Sequence, residues 1–229
     1  MSNGRITPSS VLHFNRDNVE DVVDDNLITV DNIVERASSD NVSDAMKNLY
    51  GTSGLLRGVK SIGSGSKVAG FIRTVETGSY DWGTGIKAIY ECREGEILFI
   101  RCSDNDYAIW GGLASVSAKV HGVCATVIVG SSRDTEDILD LDYPVFSSDI
   151  KSAAGLPLNE GTIDGRLFVD DLVVESGDFA FCDVDGVVVV SRDKLDDVIC
   201  EVNRIKAFER DCFEKVVVGN QRLDDIVGF

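Results

Sequence analysis

The stretch VIVGSSRD, residues 127–134, carries a run of apolar and small residues into a loop that sets Arg133 beside Asp134. A guanidinium is a fixed cation whose planar fork matches a carboxylate, and an aspartate offers hard oxygen to Mg²⁺ or Mn²⁺. Twenty residues separate Arg133 from Gly112, the second of the glycine pair Gly111–Gly112 in WGGLAS. If a helix begins there, the amides of Gly112, Leu113 and Ala114 point outward with the positive end of the helix dipole behind them. Such a terminus holds a carboxylate or a phosphate. Each feature alone has a plainer use, since glycines let a helix start close to a strand and an Arg-Asp pair makes a solvated turn or an aspartate cap. One helix and one strand lie between the two loops, which is enough to bring both to one edge of a sheet, where α/β proteins bind small ligands.

The elements that must position these loops can be read from periodicity. DWGTGIKAIYECREGEILFIRC reads as a helix, a turn and a buried strand, SDNDYAIW as a loop feeding a helix from about Gly111, and VCATVIVG as the next strand. ILDLDYPVFSSD adds a short helix and another strand, so residues 80–148 alternate as a parallel α/β unit does. From residue 160, short apolar runs separated by Asp-Gly, Asp-Asp and Ser-Gly-Asp turns predict four or five antiparallel or mixed strands, with VVVV at 187–190 the most buried. The first fifty residues read as polar helices closing at Gly51, residues 1–30 as an N-terminal helical extension, and residues 31–229 as a single α/β domain. That domain ends in an amphipathic helix bearing Val198, Val202, Ile205, Phe208 and Cys212 on one stripe, followed by a tail whose Leu223, Ile226 and Val227 need cover. GSGS at 63–66 precedes a strand around 67–75 and lacks the strand-then-helix order of a dinucleotide fingerprint.

Composition narrows the classes. The 229 residues are 43% hydrophobic, enough for a full core, without an apolar run of membrane-spanning length or a secretory leader, so a cytoplasmic protein is expected. Net charge is −17, which opposes nucleic acid and anionic lipid and suits a basic protein partner. Six cysteines without a C-x-x-C pair read as buried reduced thiols, and two distant histidines argue against zinc.

NVSDAM (41–46), WGGLASVSAKVHGV (110–123), GSSRDTEDI (130–138), YPVF (143–146), SGD (176–178) and DVDGVVVVS (183–191) together resemble, in order, the motifs of the RraA-like family. That family holds regulators of ribonuclease E activity, class II 4-hydroxy-4-methyl-2-oxoglutarate aldolases and proteins labelled demethylmenaquinone methyltransferases. The resemblance covers about residues 30–229 and implies a layered β/β/α swivelling-type α/β domain that forms a homotrimer, or a hexamer of two trimers, with sites between subunits. It implies Arg133 as clamp for the 2-oxo acid substrate, Asp134 as holder of Mg²⁺ or Mn²⁺, and the amides of Gly111, Gly112, Leu113 and Ala114 as the carboxylate cradle. It also implies Glu209, on the C-terminal helix, as a residue reaching a neighbouring subunit's site. The activity implied is metal-dependent cleavage of a small 2-oxo acid through pyruvate enolate, or, for regulator members, docking on a ribonuclease or helicase through an acidic surface. No glycine-rich loop followed by an acid is placed to hold S-adenosylmethionine.

The chain departs from the pattern at two positions. Aldolase members carry an acid where Gly112 stands, and many relatives an aspartate where Val129 stands. Loss of the first acid is expected to weaken metal binding or catalysis by one to two orders of magnitude.

Overall fold

Runs of β-branched and aromatic residues build the centre of the molecule, because such side chains pack well on a pleated surface buried on both sides. The computed structural model describes residues 27–62 and 67–228; the expected helix in RDNVEDVVDD and the GSGS loop lie outside them. The chain divides into two compact units, one formed by the residues up to Ser53 with those from Asp196 onward, the other by Gly54–Leu195.

In the larger unit the strands are β1 (Lys60–Ser61), β2 (Val68–Thr77), β3 (Ile97–Cys102), β4 (Ala108–Trp110), β5 (Ala125–Ser132), β6 (Val145–Ile150), β7 (Thr162–Ile163), β8 (Leu167–Val169), β9 (Leu172–Val174), β10 (Phe179–Cys182) and β11 (Val187–Val190). The main sheet runs β1-β6-β5-β3-β2-β10-β11, with β4 pairing on β5 and β7 on β2, while β8 and β9 form a separate hairpin. The β2, β3, β5 and β6 core is parallel, and β4 also runs parallel to β5; β1, β7, β10 and β11 add antiparallel pairs. The parallel unit and the mixed strands after residue 160 are as the patterning predicts. AIW, read as loop, is instead the fully buried strand β4.

Side chains alternate across the sheet with period two. Leu98, Ile100 and Ile128 join one core with Ala88 and Ile89, Ala114 and Ala118, and Ile138. These last come from three helices, α3 (Gly83–Ile89), α4 (Gly112–Val120) and α5 (Thr135–Leu141). Ile97, Phe99, Val127 and Phe146 join the opposite core, closed by Leu167, Val169 and Val174 of the β8–β9 hairpin. Helices on one face and a second β layer on the other give the β/β/α layering.

One buried carboxylate ties a long loop to this frame. Asp81 is 4% exposed. Its Oδ1 accepts the amides of Gly83 at 2.8 Å and Asn159 at 2.9 Å. Its Oδ2 accepts the Thr84 hydroxyl at 2.6 Å, the Thr77 hydroxyl at 3.1 Å and the Glu160 amide at 2.9 Å. Burial pushes this carboxyl up, but the Thr84 hydroxyl and the three amides outweigh it and hold it well below the ordinary carboxylate range. The same loop borders β4, since the Ala108 amide donates to the Ala153 carbonyl at 2.7 Å.

In the smaller unit α1 (Ile33–Arg36) stops where Ala37 and Ser38 turn extended, and α2 (Ser39–Tyr50) starts afresh with a capping box between Ser38 and Asn41. Gly51 closes α2 at φ 72°, as its place in the sequence predicts. The unit is completed by α6 (Leu195–Val217) and α7 (Leu223–Val227). Val198, Val202, Ile205 and Cys212 of α6 are buried, whereas Leu223 of the tail is 57% exposed.

The cysteines depart from expectation at one place: Cys200 is exposed, Cys124 partly buried and the other four buried. Burial pushes the thiols of Cys92, Cys102 and Cys124 up to about 12. A maleimide at neutral pH is therefore expected to label the native protein once, at Cys200, with peptide mass mapping as the check; fast labelling at Cys102 would contradict the packing.

Candidate active site

The C-terminal ends of β4, β5 and β6 share one rim, and the two loops of interest leave the sheet there side by side. The Arg133 amide donates to the Trp110 carbonyl at 2.9 Å, locking the residue after β5 to the end of β4. Trp110 is held in turn, because its indole N–H donates to Ser115 Oγ at 2.9 Å and that hydroxyl donates to the Gly111 carbonyl at 3.0 Å. The α4 ladder begins with the Ser115 amide on the Gly111 carbonyl, so the amides of Gly112, Leu113 and Ala114 stand ahead of it.

Asp134 has φ 57° and ψ 45°, a left-handed conformation that costs a residue with a Cβ about 1 kcal/mol. It occupies the N-cap position of α5 yet makes no side-chain cap bond. Its carboxylate crosses to α4 instead: Oδ2 accepts the Gly112 amide at 3.1 Å, and Oδ1 lies 3.7 Å from Arg133 Nε. The Arg133 and Asp134 side chains are 45% and 38% exposed, so both remain open to a ligand.

Side chains from the start of α5 and the loop before it crowd both glycines. A Cβ on Gly111 would collide with Asp134 Oδ2 and stand 3.2 Å from Arg133 Cγ. On Gly112 it would stand 3.0 Å from Asp137 Cβ and 3.1 Å from Asp137 Oδ2. Asp137, in the first turn of α5, therefore brings a second carboxylate to the start of α4. Sequence reading missed it, because an acid in a first turn reads as ordinary compensation of the helix dipole. The available signal was Gly112 itself: a missing side chain at a packed rim leaves room that a facing helix can fill.

Arg133, Asp134, Gly111 and Gly112 are thus brought together, joined by Asp137. Glu209 belongs to the smaller unit, where its Oε1 accepts the Asn41 amide nitrogen at 2.8 Å and its Oε2 the Lys206 ammonium at 2.9 Å. One residue before Arg133, the buried Ser132 Oγ has no hydrogen-bond partner among the described residues.

The donor set suits a divalent ion of one kind. No group of three or more His, Cys, Asp or Glu side chains that could hold a metal occurs among the described residues. Two carboxylates at one helix start offer only hard oxygen, which fits Mg²⁺ or Mn²⁺, ions that keep several waters and need one or two carboxylates. Asp137→Ala is expected to lower Mn²⁺ affinity about 10–100-fold in calorimetry with little change in Tm, since the residue is exposed. Unchanged affinity would rule out Asp137 as a ligand for such an ion.

The RraA-like family, described as Aldolase/RraA, matches residues 39–189, and the chain belongs to it. An uncharacterized protein of Methanocaldococcus jannaschii is 39% identical over 175 residues, covering 75% of this chain and 84% of its own length. A Halalkalibacterium halodurans protein, named as a candidate 4-hydroxy-4-methyl-2-oxoglutarate aldolase, is 28% identical over 167 residues, covering 72% and 78%. Among solved structures, an uncharacterized protein from Pseudomonas syringae superposes with TM-score 0.75 at 25% identity, covering 86% of this chain and 95% of its own. The RNA-processing inhibitor RraA from Thermus thermophilus superposes with TM-score 0.58 at 24% identity, covering 65% and 91%, a likeness of fold. No helix among the described residues is long and apolar enough to cross a membrane.

Proposed function

We propose that the protein is a divalent-metal-dependent aldolase or decarboxylase acting on a small 2-oxo acid of the 4-hydroxy-4-methyl-2-oxoglutarate or oxaloacetate type. The observation that carries this reading is the meeting of Arg133, Asp134 and Asp137 around Gly111–Gly112. Asp134 and Asp137 would hold Mg²⁺ or Mn²⁺, which when bound supplies a Lewis acid for the 2-oxo oxygen. The Leu113 and Ala114 amides hold the substrate carboxylate at the positive end of α4. Arg133 meets the negative charge that grows on the 2-oxo oxygen as the carbon–carbon bond breaks and enolate forms. The electron pair of the broken bond stays with C3, and a proton delivered there yields pyruvate.

The reading includes assembly as a homotrimer, or a hexamer of two trimers, in which Glu209 of a second copy supplies the carboxylate that carries protons. Its support is the resemblance to the family's motifs. The test is pyruvate release from oxaloacetate with added Mg²⁺ or Mn²⁺ in a coupled assay, abolished by chelator. Turnover no greater than the spontaneous metal-catalysed rate, with oxaloacetate and with 4-hydroxy-4-methyl-2-oxoglutarate alike, would remove the enzyme reading.

The net charge of −17 favours a second use, docking on a basic segment of a ribonuclease or helicase without catalysis. Salt-sensitive co-purification of such a partner, equal for the wild type and Arg133→Ala, would support it; partner binding lost in that variant would tie both to one site.

A further inference from the structure

The rim carries a cation that the reading above leaves unused. β5 and β6 run parallel, with Ser132 opposite Ile150. The next residue on β6's side, Lys151, donates its amide to the Ser132 carbonyl at 2.9 Å, while the Arg133 amide on the other end of that peptide donates to Trp110. Gly111, Arg133 and Lys151 therefore leave three neighbouring strands at the same level, about 4.8 Å apart from strand to strand. The Lys151 side chain is 43% exposed, and its ammonium meets Asp149 Oδ2 at 2.9 Å. An exposed pair of this kind contributes little and exchanges readily for a ligand carboxylate.

We propose that Lys151 is a specificity residue that takes the second carboxylate of an aldol substrate, the one on the fragment that departs. The inference rests on the 2-oxo acid reading of this rim and narrows it to dicarboxylic aldols over decarboxylation. The chemistry separates the two. In a retro-aldol step the C4 hydroxyl loses its proton to the carboxylate assigned to Glu209 of a second copy, the C3–C4 bond breaks, and C4 becomes the ketone of a second 2-oxo acid. The distal carboxylate keeps its charge throughout, so a cation beside it binds reactant and transition state alike. In decarboxylation that carboxylate loses its charge as CO₂ departs, and a cation beside it stabilises the reactant more than the transition state.

Steady-state kinetics on wild type, Lys151→Met and Lys151→Arg test this with 4-hydroxy-4-methyl-2-oxoglutarate and oxaloacetate as substrates. Lys151→Met is expected to raise KM for the aldol about 10-fold or more, as for loss of a charged hydrogen bond. Lys151→Arg restores most of it, and kcat for oxaloacetate stays level or rises. An unchanged aldol KM, an equal loss on both substrates, or a wild type that decarboxylates oxaloacetate but leaves the aldol intact overturns the role of Lys151 alone. A wild type inert on both removes the 2-oxo acid reading and this subsite with it.

Discussion

Arg133→Ala should lower kcat/KM for oxaloacetate about 10²–10³-fold while the protein stays folded. The size follows from the role: Arg133 supplies fixed positive charge where the enolate oxygen develops, and removing one such donor costs catalysis by that factor. The fold should survive because the side chain is 45% exposed and its ion pair with its sequence neighbour Asp134, at 3.7 Å, is too long and too exposed to matter for stability. What Arg133 contributes to the frame is its amide, bonded to Trp110, and alanine keeps that bond. Activity within threefold of wild type, with an unchanged melting curve, would take Arg133 out of the chemistry.

The second large effect is on stability. Asp81→Ala is expected to destabilise the protein by about 3–5 kcal/mol, because it strands two threonine hydroxyls and three amides that now share one buried carboxylate. In a chain of this size each kcal/mol lowers Tm by about 2–4 °C, so a drop of roughly 6–20 °C is expected in a calorimetric scan. The carboxyl is depressed in the folded protein, so its stabilisation is complete above the ordinary carboxylate value near 4 and fades as pH falls below it. The wild type should therefore lose stability below about pH 4 more steeply than Asp81→Asn, which is less stable at neutral pH. Parallel curves for the two proteins would mean that the folded carboxyl is not depressed.

What the sequence showed and what it hid follow from the range of the interactions. The parallel strands were legible because ILFI and TVIV are buried on both faces, which leaves a continuous apolar run and a local signal. The loops WGG and SSRD could be placed at one rim because a single helix and strand separate them. AIW was hidden: three residues are too few for a period, and the strand exists only because β5 and the Ala153–Ala154 segment flank it. In TVDNIVERASS the helical pattern was real but ended at Arg36, since Ser38 serves better as the cap of α2 than as a link between helices. Asp81 reads as an ordinary residue ahead of a helix, and its anchoring of Asn159 and Glu160 depends on chain nearly eighty residues away. Asp137 gains its place at the site from the space that Gly112 leaves, a relation between two helices that neither stretch displays alone.

The most direct test of the central claim is anomalous diffraction from a crystal soaked with Mn²⁺ and oxalate, a stable mimic of pyruvate enolate. The expected map shows manganese beside the carboxylates of Asp134 and Asp137, with oxalate reaching both the metal and the Arg133 guanidinium. Manganese bound elsewhere, or oxalate absent from this rim at saturating concentration, would contradict the account.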